Sequence, residues 1–154
     1  MLARILHQHH LRGARLAATM RVKGRLLLDT RLYTRTVVDH FWNPRNLRAM
    51  PDASAEGRAI NRACSDVVRL FIRVEDGVIA DCSFQAQGCV ACVAAASMTT
   101  ELVQGRTLGD GDVLDETEVV DALGGLPAKK VECSVIAPNA LRAALESFRE
   151  QQQG

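Results

Sequence analysis

The sequence predicts an α+β fold: a small antiparallel three-stranded sheet with helices packed on one face. Three observations carry this. Two alternating runs, 68–75 and 78–86, flank an Asp76-Gly77 pair. The last third repeats its apolar residues at helical spacing. At 154 residues and 47% apolar composition, the chain has room for one ordinary core.

In chain order, Thr36 to Trp42 reads as a short helix stopped by Asn43-Pro44. Residues 43–63 mix Pro, Gly, Ala and Asn and read as an irregular connection with a strand at Arg58–Asn61. Val68, Leu70, Ile72 and Val74 then alternate with charged or aromatic neighbours. After Asp76-Gly77, Val78, Ala80, Cys82, Phe84 and Ala86 do the same, the pattern of a hairpin with one buried face. Val90 to Gln104 lacks Gly and Pro and aligns Val93, Ala96, Thr100 and Val103 on one helical face, ending at Gly105. Asp115 to Leu123 is a shorter helix closed by Gly124-Gly125. The last helix starts at Ser134, with Pro138 in its first turn and a stripe from Ile136 to Phe148, and frays over 151–154.

Charge is divided unevenly. Residues 1–31 hold seven basic side chains against Asp29, whereas residues 32–154 hold 12 Lys or Arg against 17 Asp or Glu. A basic extension (1–31) therefore precedes an acidic domain (32–150), which argues against nucleic-acid binding by the folded part. The extension reads either as an organelle presequence or as a segment ahead of a start at Met20; His7, His9 and His10 within it are adventitious metal donors. No stretch approaches the ~20 apolar residues of a membrane helix, so no membrane role is expected.

Five cysteines with no secretory signal point to metal binding or catalysis rather than disulfides. If the hairpin turns at Asp76-Gly77, paired residue numbers add to 153, and so do those of Cys64 and Cys89. These thiols meet at the open end of the hairpin with Asp66 beside them. Cys89 opens one helix and Cys133 directly precedes another, positions that favour thiolate, the form that binds iron and zinc. Cys82 reads as core. Cys92 completes a C-x-x-C with Cys89, which by itself suggests a dithiol redox site, but the flanking Trp or Pro of thioredoxin is missing and helix packing is the more ordinary reading.

The stretch Val38-Asp39-His40-Phe41-Trp42-Asn43-Pro44-Arg45-Asn46 resembles the opening motif of the IscU/NifU/SufU-type iron–sulfur cluster assembly scaffolds. Ala63-Cys64-Ser65-Asp66 is similar to their Cys-Gly-Asp, Gly88-Cys89 with the following Ala/Ser-rich helix to their second site, and Leu126-Pro127, Lys130 and Cys133-Ser134 to their third. The resemblance runs from Tyr33 to Phe148 and implies the IscU/SufE-like fold. It implies a stand-alone scaffold that builds a [2Fe–2S] cluster on Cys64, Cys89 and Cys133 with Asp66, then passes it to apo-proteins. It also implies a cysteine desulfurase delivering sulfur to Cys133 on a mobile loop, and an iron donor. The alternative within the family is a zinc-binding SufU-type sulfurtransferase using the same three cysteines and Asp66.

Three departures bear on that choice. Glu132 stands where scaffold members carry His, a residue that the SufU branch also lacks. The insertion that marks the SufU branch is missing between Cys89 and Cys133. Ala128 and Lys129 replace the Pro and Val of the Leu-Pro-Pro-Val-Lys chaperone stretch, so an Hsp70-type chaperone is the partner least expected. A cytoplasmic location is expected, or the mitochondrial matrix if residues 1–31 are a presequence.

Overall fold

The computed structural model describes residues 20–22, 30–109 and 114–154; the remainder of the basic extension lies outside them. Four strands form one sheet in the order β1-β4-β3-β2: β1 (Met20–Val22), β2 (Ala55–Asn61), β3 (Asp66–Glu75) and β4 (Val78–Gly88). β2, β3 and β4 are the three antiparallel strands that alternation predicts. β1 is an addition: three residues of the supposed extension pair in parallel with β4 from Met20↔Ala86 to Val22↔Gly88. Three residues are too few for an alternation signal, which is why the sequence conceals this strand.

The hairpin register is corrected by a bulge. Next to the turn, Glu75↔Val78 and Val74↔Ile79 follow the predicted pairing. From Arg73↔Asp81 onward it is displaced by one residue, leaving Ala80 as the extra residue. A one-residue slip exchanges the faces of a strand. Accordingly Ile79 is buried and Ala80 exposed, the reverse of the simple alternation, while Cys82, Phe84 and Ala86 keep the core face.

Helix α1 (Arg35–Trp42) is capped by Thr34, whose Oγ1 accepts from the Val37 N–H at 3.1 Å and donates to the Leu123 carbonyl at 2.5 Å. That second bond ties the start of α1 to the end of α3 (Glu116–Ala122), which Asp115 caps through the Glu118 N–H. Between them in sequence, α2 (Val90–Val103) is buried on every side from Val90 to Thr100, not along one stripe. Its run of alanines has no wide residue to exclude neighbours, and a helix apolar all round takes the centre of a fold.

The chain ends in α4 (Val131–Ser134) and α5 (Ile136–Gln153), separated at Val135. Pro138 explains the break: it has no N–H for the Ser134 carbonyl, and its ring crowds that turn. Cys133 is therefore inside a short helix rather than ahead of the long one, and α5 continues through the glutamines expected to fray, since nothing before Gly154 stops it. α5 packs on β2 and β3, and α2 on β4. The α5–β2 contact is so close that a Cβ on Gly57 would stand 2.0 Å from the Ala140 carbonyl oxygen and 2.3 Å from the Ala144 nitrogen.

Candidate metal centre

Cys64 lies in the turn between β2 and β3. Asn61 Oδ1 accepts from the Ala63 N–H at 3.0 Å, starting the turn, and Ser65 completes it with φ +56. This is the position where the related motif has Gly, the residue that adopts a positive φ most readily. Asp66 opens β3 opposite Asn61. Cys89 is the N-cap of α2, directly after β4, and α4 presents Cys133 from the other side.

The sulfurs of Cys64 and Cys133 and a carboxylate oxygen of Asp66 lie within 4.8 Å of one another. Cys89 stands at the edge of this group, its thiol hydrogen-bonded to that of Cys133. Cys64 donates its thiol proton to the Asp66 carboxylate and accepts from the Asp66 N–H. Asp66 is only 2% exposed, yet its Oδ2 has no hydrogen-bond partner. An unpaired buried carboxylate oxygen beside soft sulfurs is the donor set of an iron or zinc site, so the residues present fit the group the resemblance implies. Gly88 makes room for it: a Cβ there would lie 2.8 Å from Asp66 Cγ and 2.9 Å from Cys92 Sγ.

The electrostatics correct one expectation. Burial pushes the Cys133 thiol well above its ordinary range, and the neighbouring Cys89 sulfur adds to the effect. Cys64 is raised by burial and then by its hydrogen bond to Asp66. Placement within α4 gives Cys133 no free helix N-terminus, so desolvation decides and the thiol keeps its proton. Lys130 is held more strongly charged, chiefly by Cys89, and Tyr33 is raised by burial despite the opposing Lys130. Lys130 belongs to the stretch that resembles the third site and stands one helical turn ahead of Cys133, whereas neither the type nor the spacing of Tyr33 points to the centre. Glu132 is exposed and outside the clustered donors.

Behind the centre, the Asp39–Asn46 motif is locked onto α2. Ser97 Oγ accepts from the Arg45 N–H at 2.8 Å and bonds His40 Nδ1 at 2.8 Å. Glu101 faces His40 Nε2 at 3.6 Å and Arg45 Nε at 3.7 Å. A carboxylate only accepts, so the imidazole proton belongs on Nε2 and Ser97 donates to Nδ1. Asn46 Nδ2 donates to Thr100 Oγ1 at 2.9 Å, which in turn donates to the Ser97 carbonyl at 2.7 Å.

A mainly antiparallel sheet backed by helices, with thiols and a buried carboxylate meeting at one end, defines the class: α+β domains with a thiol–carboxylate cluster that could hold a metal ion. The particular family follows from comparison. The model of the NifU-like N terminal domain matches residues 32–154, and the chain belongs to that family. It is 40% identical over 117 residues to an Archaeoglobus fulgidus protein named iron-sulfur cluster assembly scaffold protein IscU 1, covering 76% of each chain. It is 36% identical over 141 residues to iron sulfur cluster assembly protein 1, mitochondrial, of Eremothecium gossypii, covering 88% of this chain and 91% of that one. A crystal structure from Fervidobacterium islandicum, described as a cluster assembly scaffold protein for the SUF system, superimposes with a TM-score of 0.62 at 18% identity. It covers 76% of this chain and 98% of that one, a likeness of fold. Among the described residues, no helix is long and apolar enough to cross a membrane.

Proposed function

We propose that this protein is an iron–sulfur cluster assembly scaffold, a carrier rather than an enzyme. Iron and sulfide collect on Cys64, Cys89 and Cys133 with Asp66, form a [2Fe–2S] cluster as cargo, and leave for apo-proteins. The observation that carries this reading is the unpaired Asp66 Oδ2, buried among thiols that can exchange their protons for metal. Membership of the scaffold-bearing family supports it. Sulfur would arrive from a cysteine desulfurase at Cys133 and iron from a separate donor. The compartment would be the cytosol, or the mitochondrial matrix if residues 1–31 are cleaved on import, which sequencing the amino terminus of the native protein decides.

Cargo must be released, and a single hard oxygen among thiolates keeps the assembly labile. Anaerobic reconstitution with ferrous iron, cysteine and a desulfurase is the test. Sulfur-to-iron charge-transfer bands that disappear on substitution of Cys64, Cys89 or Cys133 are expected. A colourless protein keeping one tightly bound zinc would replace the scaffold with a sulfurtransferase. Asp66→Ala is expected to retain its cluster longer than wild type during transfer to an apo-ferredoxin; an unchanged transfer half-time would remove Asp66 from the release step.

A further inference from the structure

The scaffold reading leaves Cys92 unused, and its placement gives it a task. β4 runs directly into α2 with Cys89 as N-cap, so Cys89 and Cys92 span the first helical turn. Helix dimensions put Cα atoms three residues apart at about 5 Å, inside the range a disulfide bridges. Cys92 Sγ does not lie off in the helix bundle. It lies 2.9 Å from where a Cβ of Gly88 would be, at the strand–helix junction beside Cys89. Cys89 is half-buried and open to an incoming sulfur donor, while Cys92 is 0% exposed and sheltered from solvent oxidants. An accessible thiol with a second thiol within bridging range is a pair that thiol–disulfide exchange can close, although burial makes Cys92 the slower nucleophile of the two.

We propose that Cys89 and Cys92 form a resolving dithiol that reduces sulfane sulfur to sulfide on the protein itself. The inference rests on the scaffold reading, which supplies the sulfane sulfur. The hydrogen bond between Cys133 and Cys89 gives the sulfur a path: the Cys89 sulfur attacks the outer atom of a Cys133 persulfide, forming a Cys89 persulfide and restoring the Cys133 thiol. Cys92 then attacks the inner, Cys89 sulfur. The Cys89–Cys92 bond forms and the bond to the outer sulfur breaks. The outer sulfur leaves with the electron pair and the proton released from Cys92, as hydrogen sulfide. Each turnover leaves one disulfide, and a dithiol reductant returns it to two thiols with two electrons and two protons.

The test uses the full, metal-free chain under anaerobic conditions. The protein is loaded with glutathione persulfide, freed of excess donor, and followed by sulfide release, intact mass and disulfide mapping. Wild type is expected to release sulfide and acquire a Cys89–Cys92 disulfide. Cys92→Ala, a substitution at home among the buried alanines of α2, is expected to keep the extra sulfur and release sulfide about tenfold more slowly or less. Ferrous-iron binding and cluster formation from inorganic sulfide should be unchanged in that variant, which separates this role from ligation. Equal release by Cys92→Ala, a Cys89–Cys133 disulfide in wild type, or a wild-type chain that holds its sulfur each overturns the dithiol and leaves the scaffold standing. A chain that takes up neither sulfane sulfur nor iron overturns both.

Discussion

Two polar clusters lie along α2, one at its Cys89 end and one around Ser97 and Thr100, and they are built to opposite standards. In the His40–Ser97–Arg45–Thr100 cluster, each buried donor meets an acceptor within the protein. In the Cys64–Asp66–Cys133 cluster, a carboxylate oxygen is buried with nothing to accept from, and two thiols are crowded into a space that keeps them protonated. Hydroxyls of Ser83 and Thr99 are also buried without partners, but an unpaired carboxylate is the costlier group. The first cluster is complete as protein and serves the fold. The second leaves a buried acceptor that the protein itself does not satisfy.

The difference can be broken from either side. Cys133→Ala should weaken ferrous-iron or zinc binding by at least about a hundredfold, since even outer-shell partners cost up to that much. Its thermal unfolding should stay close to wild type; titration calorimetry and a melting curve measure the two. Ser97→Ala should do the reverse. It strands the Arg45 N–H and His40 Nδ1 and should lower stability by about 2 kcal/mol in urea unfolding, with iron stoichiometry retained.

A smaller effect comes from acid. Burial, assisted by Arg45, holds the His40 pKa below its ordinary value, so the unfolded chain takes up that proton first. His40's contribution is therefore fully present above about pH 6.5 and declines as pH falls toward its folded pKa. Urea midpoints between pH 7.5 and pH 5 should show this decline, and His40→Asn should flatten it. The smallest effect sharpens the other cluster. Ser65→Gly relieves a positive φ and should stabilise the metal-free protein by up to about 1 kcal/mol, since the strain and the added chain freedom oppose each other. A loss of stability would show that Ser65 contributes contacts worth more than its strain.

Much of this was legible in the sequence because it is local. The starts of α1, α2 and α3, the Asp76-Gly77 turn and the Gly124-Gly125 stop each follow from a few adjacent residues. The pairing rule also placed Cys64, Asp66 and Cys89 at one end of the sheet, within the one residue by which the bulge displaced it. What escaped depends on distant parts of the chain. No local pattern of hydropathy or spacing brings Cys133 to Cys64, a meeting that only the resemblance implies, and nothing near it announces that burial there outweighs a helix end. The bulge at Ala80 is settled by which of Ile79 and Ala80 fills the core better. The His40 cluster joins residues more than fifty positions apart, and its members read only as part of a motif.

The interruption at Val135 has a consequence for timing. A continuous helix from Val131 to Gln153 would tie Cys133 to the contacts α5 makes with β2 and β3, and any excursion of that thiol would disturb the largest packed surface of the helix. With no Pro138 N–H to receive the Ser134 carbonyl, that coupling is weakened, and opening the Cys133 turn breaks its own packing on α2 and α3 rather than the contacts of α5 with the sheet. Such local openings belong to the low end of a protein's free-energy scale, far below global unfolding. The Cys133 thiol is thus set to open on its own clock, while the layer behind it stays shut.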